Sequence, residues 1–120
     1  MRTRVLVGAV WVLLSAAAPP LGAQPKGERT TIKGEAVDLW CFLEGGDRGA
    51  AKKACATACA KAGNPIGIVD PNGNLYVAAG LKDHQPARAL LLEKMNTEVT
   101  VSGVVVKNGG VQMIYIDGVK

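Results

Sequence analysis

Val99-Thr100-Val101-Ser102-Gly103-Val104-Val105-Val106-Lys107-Asn108-Gly109-Gly110-Val111-Gln112-Met113-Ile114-Tyr115-Ile116 is the stretch that decides the architecture of this chain. Val99, Val101, Gly103 and Val105 alternate with Thr100, Ser102 and Val104, the two-residue period of a half-buried strand. Asn108-Gly109-Gly110 tolerates positive φ and turns the chain back into Val111 to Ile116, making an antiparallel hairpin. A second hairpin precedes it, with Ile66-Gly67-Ile68-Val69 and Leu75 to Ala79 joined by the turn Pro71-Asn72-Gly73-Asn74. Upstream, Thr30 to Leu39 reads as the first strand, with Ile32, Val37 and Leu39 as apolar positions and Gly34 marking a bulge or a sharp bend.

Two helices interrupt the strands. Between Gly49 and Gly63, Ala51, Ala54, Cys55, Ala58, Cys59 and Ala62 recur at three- and four-residue steps, while Lys52, Lys53, Thr57 and Lys61 fill the other positions. This pattern predicts a helix with both cysteines on its apolar face. Asp47 is the expected N-cap, beyond a flexible Glu44-Gly45-Gly46 segment, and Gly63 before Asn64-Pro65 is the expected stop. Pro86 to Met95 predicts a second, shorter helix whose Ala87, Leu90, Leu91 and Lys94 positions include a core-facing stripe. The fold class is therefore α+β, mainly β. Without the cysteine helix, five strands remain with a helix between the third and fourth, an order that resembles an OB-fold barrel from about Thr30 to Asp117. A curled antiparallel sheet packed by two helices gives the same string of elements.

Met1 to Ala23 has the plan of a secretory signal peptide: Arg2 and Arg4 at the basic end, an apolar run from Val5 to Leu14, and Leu21-Gly22-Ala23 as the cleavage site. Residues 24–29 then form a flexible leader, and residues 30–120 one small OB-like domain in a periplasmic or secreted protein. Removing the signal leaves 12 basic against 10 acidic residues, a net charge of +2. A near-balanced charge with only Trp40, Phe42, Tyr76 and Tyr115 as aromatics argues against a nucleic-acid groove. No nucleophile and base can be paired from the sequence, so an enzyme is not the reading, and thiol redox activity is a minor alternative.

Gly34-Glu35-Ala36-Val37-Asp38-Leu39-Trp40-Cys41, the later Cys55-x-x-x-Cys59, and Gly63-Asn64-Pro65-Ile66-Gly67 together resemble a group of small exported bacterial proteins with no assigned activity. That resemblance implies location and architecture. It carries over no functional residues.

Chemistry rests on the three cysteines. An odd number of thiols in an exported chain leaves one over after any disulfide. Cys55 and Cys59 are one helical turn apart and present their sulfurs from the same face, a spacing suited to sharing a soft ion. Cys41 adds a third sulfur, and His84, the one histidine, adds a nitrogen with Asp83 as its orienting neighbour. Cys41, Cys55, Cys59 and His84 are thus the expected ligands of copper(I) or zinc. Trp40, Met95 and Met113 offer further contacts for Cu(I), although methionine in such positions ordinarily belongs to the core. The alternative is a disulfide-stabilised accessory or protein-binding domain without metal, in which Cys41 pairs with Cys55 or Cys59 and ties the first strand to the helix. A Cys55–Cys59 bridge would close a single helical turn and constrain little. The thioredoxin-type Cys-x-x-Cys and the haem-attachment Cys-x-x-Cys-His are both absent from the sequence.

Overall fold

The computed structural model describes residues 25–120, so the signal-peptide and cleavage-site readings lie outside the described residues. The strands β1 (Glu28–Asp38), β2 (Ile66–Val69), β3 (Leu75–Gly80), β4 (Glu98–Asn108) and β5 (Val111–Val119) close into one barrel in the order β1-β2-β3-β5-β4. Neighbours are antiparallel except β3 and β5, which run parallel. This is the OB-like barrel expected from the element order. Three short helices complete it: α1 (Leu39–Gly45), α2 (Lys53–Ala62) and α3 (Arg88–Leu91).

Both hairpins form where the turn residues place them. Asp70 builds the first turn, its Oδ1 accepting from the Asn72 and Asn74 backbone N–H groups and its Oδ2 from the Asn74 amide, with Gly73 at φ 82°. These hydrogen bonds, the Asn74 side chain first, hold the Asp70 carboxyl below the usual carboxylate range. In the second, Gly109 and Gly110 both take positive φ. β4 turns Val99, Val101 and Val105 to the barrel core as expected, although Val104 on the other face is buried too. The pairing with β5 shifts opposite Ser102 and Gly103, where β5 carries Asp117 as an extra residue. Asp117 uses that position to accept from Arg29 and from Ser102 Oγ, and the Arg29 guanidinium holds its carboxyl below the ordinary value.

The first strand starts two residues earlier than Thr30, because β4 is long enough to pair Glu28 with Val105 and Arg29 with Val104. It also ends one residue earlier. Leu39 is the first residue of a helix that runs to Gly45, where the sequence predicts the last residue of the strand and, further on, a flexible Glu44-Gly45-Gly46 segment. The expected helix at Pro86 to Met95 shortens to α3 followed by a 3-10 turn at Leu92–Lys94, and it buries Ala87, Leu91 and Met95 while Leu90 and Lys94 are half-buried. Met95 is 0% exposed, a core methionine.

Alternation along β1 creates two apolar layers. Ile32 and Ala36 point into the barrel with Ile66, Ile68, Val99, Val101, Ile114 and Ile116. Val37 points the other way and packs with Leu39, Val69 and the half-buried Phe42, Leu75 and Val77 beneath α1. Gly34 lies where β1 passes from β4 to β2: residues Glu28–Glu35 pair with β4 and residues Glu35–Asp38 with β2. A Cβ there would sit 2.5 Å from the Val69 carbonyl oxygen and 2.9 Å from Ile68 Cγ2, so the bend expected at this glycine is a close backbone crossing. Replacing Gly34 by Ala should lower unfolding stability by about 1–3 kcal/mol, read as a lower urea midpoint. An unchanged midpoint would show that the crossing has slack.

Candidate metal centre

Asp38, the last residue of β1, starts the site. It is 2% exposed, and its Oδ2 accepts from the Cys41 backbone N–H at 2.9 Å, capping α1. Gly46, at φ 73°, closes the other end by donating to the Cys41 and Phe42 carbonyls. α1 therefore runs for two turns between an aspartate and a glycine. Cys41 sits half-buried in its first turn, while Trp40 and Leu43 are left exposed.

α2 is held mainly by polar contacts, because its buried face consists of Ala56 and Ala60. Two methyl groups contribute only about 0.8 kcal/mol each by burial. Ahead of α2, Gly49 adopts φ 79°, and its N–H donates to Glu35 Oε1 of β1 at 2.6 Å. The Gly49 carbonyl accepts from Asn96 Nδ2 at 3.2 Å, and Arg48 pairs with Glu35 Oε2 at 3.1 Å. One turn later, Lys53 donates to the Glu93 carbonyl at 3.3 Å. Gly63 stops α2 as expected, at φ 104°, with Asn64 N–H returning to the Cys59 carbonyl at 3.1 Å.

Two local expectations change here. The helix starts as a 3-10 turn, Ala50–Lys52, before α2 proper, and Asp47 makes no cap; its carboxylate pairs with Lys52 at 3.3 Å instead. The core face of α2 is Ala56 and Ala60 rather than the stripe containing Cys55 and Cys59. A helix made almost wholly of alanine, cysteine and lysine shows several small-residue faces of nearly equal hydrophobicity, and tertiary packing selects among them. The selected face turns Cys55 and Cys59 toward α1, with Cys55 exposed and Cys59 half-buried.

The Sγ atoms of Cys41, Cys55 and Cys59 all lie within 4.8 Å of one another, and all three are free thiols. Sulfurs sharing a tetrahedral ion at about 2.3 Å stand about 3.8 Å apart, so three ligands are gathered to within a small adjustment of binding distance. This triad can hold a metal ion. His84 belongs to the loop after β3, with its side chain 91% exposed and its Nδ1 3.1 Å from Asp83 Oδ2. The Asp83 contact is the one expected, but the structure does not bring His84 into the group formed by the three thiols.

Asp38 is the residue of the site that sequence reasoning misses. Its carboxylate beside the Cys41 thiol favours the protonated sulfur, and together with burial and the nearby Cys59 it pushes Cys41 up to about 12. Burial first, and then the same carboxylate, raises Cys59 as well. The signal is present as an aspartate followed by Leu-Trp-Cys-Phe, an N-cap before an apolar run. Comparison with protein families, with curated proteins and with solved structures finds no match to the chain.

Thiolate is the species that alkylates, so these surroundings set an order of reactivity. In the reduced, metal-free protein at pH 8, iodoacetamide should modify the exposed Cys55 first and Cys41 last. The Cys41 rate should rise about tenfold per pH unit below its high pKa, as the thiolate fraction does. Equal rates for Cys41 and Cys55 at pH 8 would contradict the assigned environment.

Proposed function

We propose that this is an exported soft-metal-binding protein that holds copper(I) or zinc through Cys41, Cys55 and Cys59. The observation that carries the proposal is the convergence of three sulfurs from two helices within 4.8 Å. Thiolates favour both ions, and a triad drawn from separate elements exists only in the folded chain, so binding is coupled to the barrel's own stability. His84 is outside the proposed ligand set, since its exposed imidazole is engaged with Asp83 in the loop after β3. Export is read from residues 1–23, and among the described residues no helix is long and apolar enough to cross a membrane. The alternative, a metal-free accessory domain stapled by a disulfide, accounts for two of the thiols and leaves the third without a role.

Loading requires the thiols to lose their protons. Cys41, pushed up to about 12, and Cys59, also raised, keep theirs at neutral pH, so protons compete with the metal and affinity climbs as pH rises. The expected slope is about tenfold per pH unit for each proton released. Reduced protein titrated anaerobically against a competing chelator should bind one Cu(I) or one Zn(II) per chain with this pH dependence. Replacing any one of the three cysteines by Ser should abolish stoichiometric binding, whereas His84→Ala should leave it intact. Failure of the reduced wild-type chain to bind either ion would refute the proposal.

A further inference from the structure

Cys41, Cys55 and Cys59 close on one another without a fourth donor: among the described residues no imidazole nitrogen or carboxylate oxygen joins the ligand atoms that lie within 4.8 Å. His84 is held by Asp83 in an exposed loop. Asp38 lines a narrow cleft together with Cys41 and Cys55, yet its carboxylate is turned to Cys41 itself, accepting from the backbone N–H at 2.9 Å and lying beside the thiol. That cleft has no space for a water molecule, so solvent does not complete a coordination sphere from this side. Asp38 is 2% exposed and pairs with no Lys, Arg or His among the described residues. Lys52, on the same cleft, is directed to Asp47 at 3.3 Å. The thiols are therefore three donors beside a buried carboxylate that no cation neutralises.

Such a triad can hold Cu(I) or Zn(II), but three thiolates leave one negative charge over on zinc and two on Cu(I), close to Asp38 where like charges repel. Trivalent arsenic leaves none. It is a soft centre that forms three covalent bonds to sulfur, in a pyramid whose fourth direction is taken by its own lone pair. We propose that the triad is also a receptor for trivalent arsenic, taken up as arsenous acid, the neutral species that arsenite forms at neutral pH. The inference rests on the reading of the three thiols as one site. Each S–H group exchanges with one As–OH: an As–S bond forms, an As–O bond breaks, and the thiol proton leaves with the hydroxide as water. Three waters are released, arsenic stays trivalent, and no electron is exchanged. Exposed Cys55 is the first sulfur that arsenous acid meets, Cys59 one turn along α2 is the second, and half-buried Cys41 of α1 is the third. The later two bonds form within one chain, so the gathered thiols act at high effective concentration. The product ties α1 to α2 through one atom.

Reduced protein incubated with sodium arsenite and desalted should carry one arsenic in place of three hydrogens in its intact mass, and iodoacetamide should then modify none of its cysteines. X-ray absorption at the arsenic edge should count three sulfurs and no oxygen. Cys41→Ser keeps the Cys55 and Cys59 pair on α2 and should give two sulfurs and one oxygen instead. Asn caps helices as well as Asp, so Asp38→Asn retains the start of α1 and should leave the three-sulfur count unchanged, because the carboxylate is no ligand of the adduct. Wild-type protein that binds Zn(II) or Cu(I) but retains no arsenic would overturn this inference alone. A wild-type adduct with two sulfurs and an alkylatable Cys41, or an Asp38→Asn variant that loses a sulfur from its count, would overturn it as well. Protein that binds neither arsenite nor either metal ion would fail the thiol-site reading itself.

Discussion

Closing a barrel with five strands obliges β1 to serve two neighbours. Its first eight residues pair with β4 and its last four with β2, and Glu35 is shared between them. The strand must cross closely over Val69 at Gly34 to do this. Past that crossing the side chains no longer serve the sheet alone. Glu35 reaches out to the Gly49 N–H and Arg48, fixing the start of α2, and Asp38 ends the strand by capping α1. The two helices that carry the thiols are thus both referenced to a four-residue stretch of one strand. Sulfurs distant in sequence come together because Glu35 and Asp38 are three residues apart on β1.

The cluster so formed is electrostatically poised rather than restful. The Asp38 carboxylate against the Cys41 thiol, and burial at Cys59, keep these two sulfurs protonated, and the neighbouring charges add to both effects. A cation reverses that logic by stabilising the anionic form of every group at once.

Much of this is legible in the residues. The two hairpins are marked by Pro71-Asn72-Gly73-Asn74 and Asn108-Gly109-Gly110, and Gly63 stops α2 because few other residues adopt φ 104° without strain. The barrel follows from element order. α1 is hidden because Leu39-Trp40-Cys41-Phe42-Leu43 is too short to show helical periodicity and its Glu44-Gly45-Gly46 end resembles a linker. The facing of α2 is hidden for a different reason: its alanines occupy several faces, and only the polar contacts of Gly49 and Lys53 choose which one turns inward. Asp38 looks like one acidic residue among several, since burial and a missing partner are properties of the fold.

The central claim is that three sulfurs from α1 and α2 bind one ion together. X-ray absorption at the zinc edge of the loaded, reduced protein counts those donors directly. The account predicts a shell of about three sulfurs near 2.3 Å. A first shell of nitrogen and oxygen alone, or of a single sulfur, would contradict it.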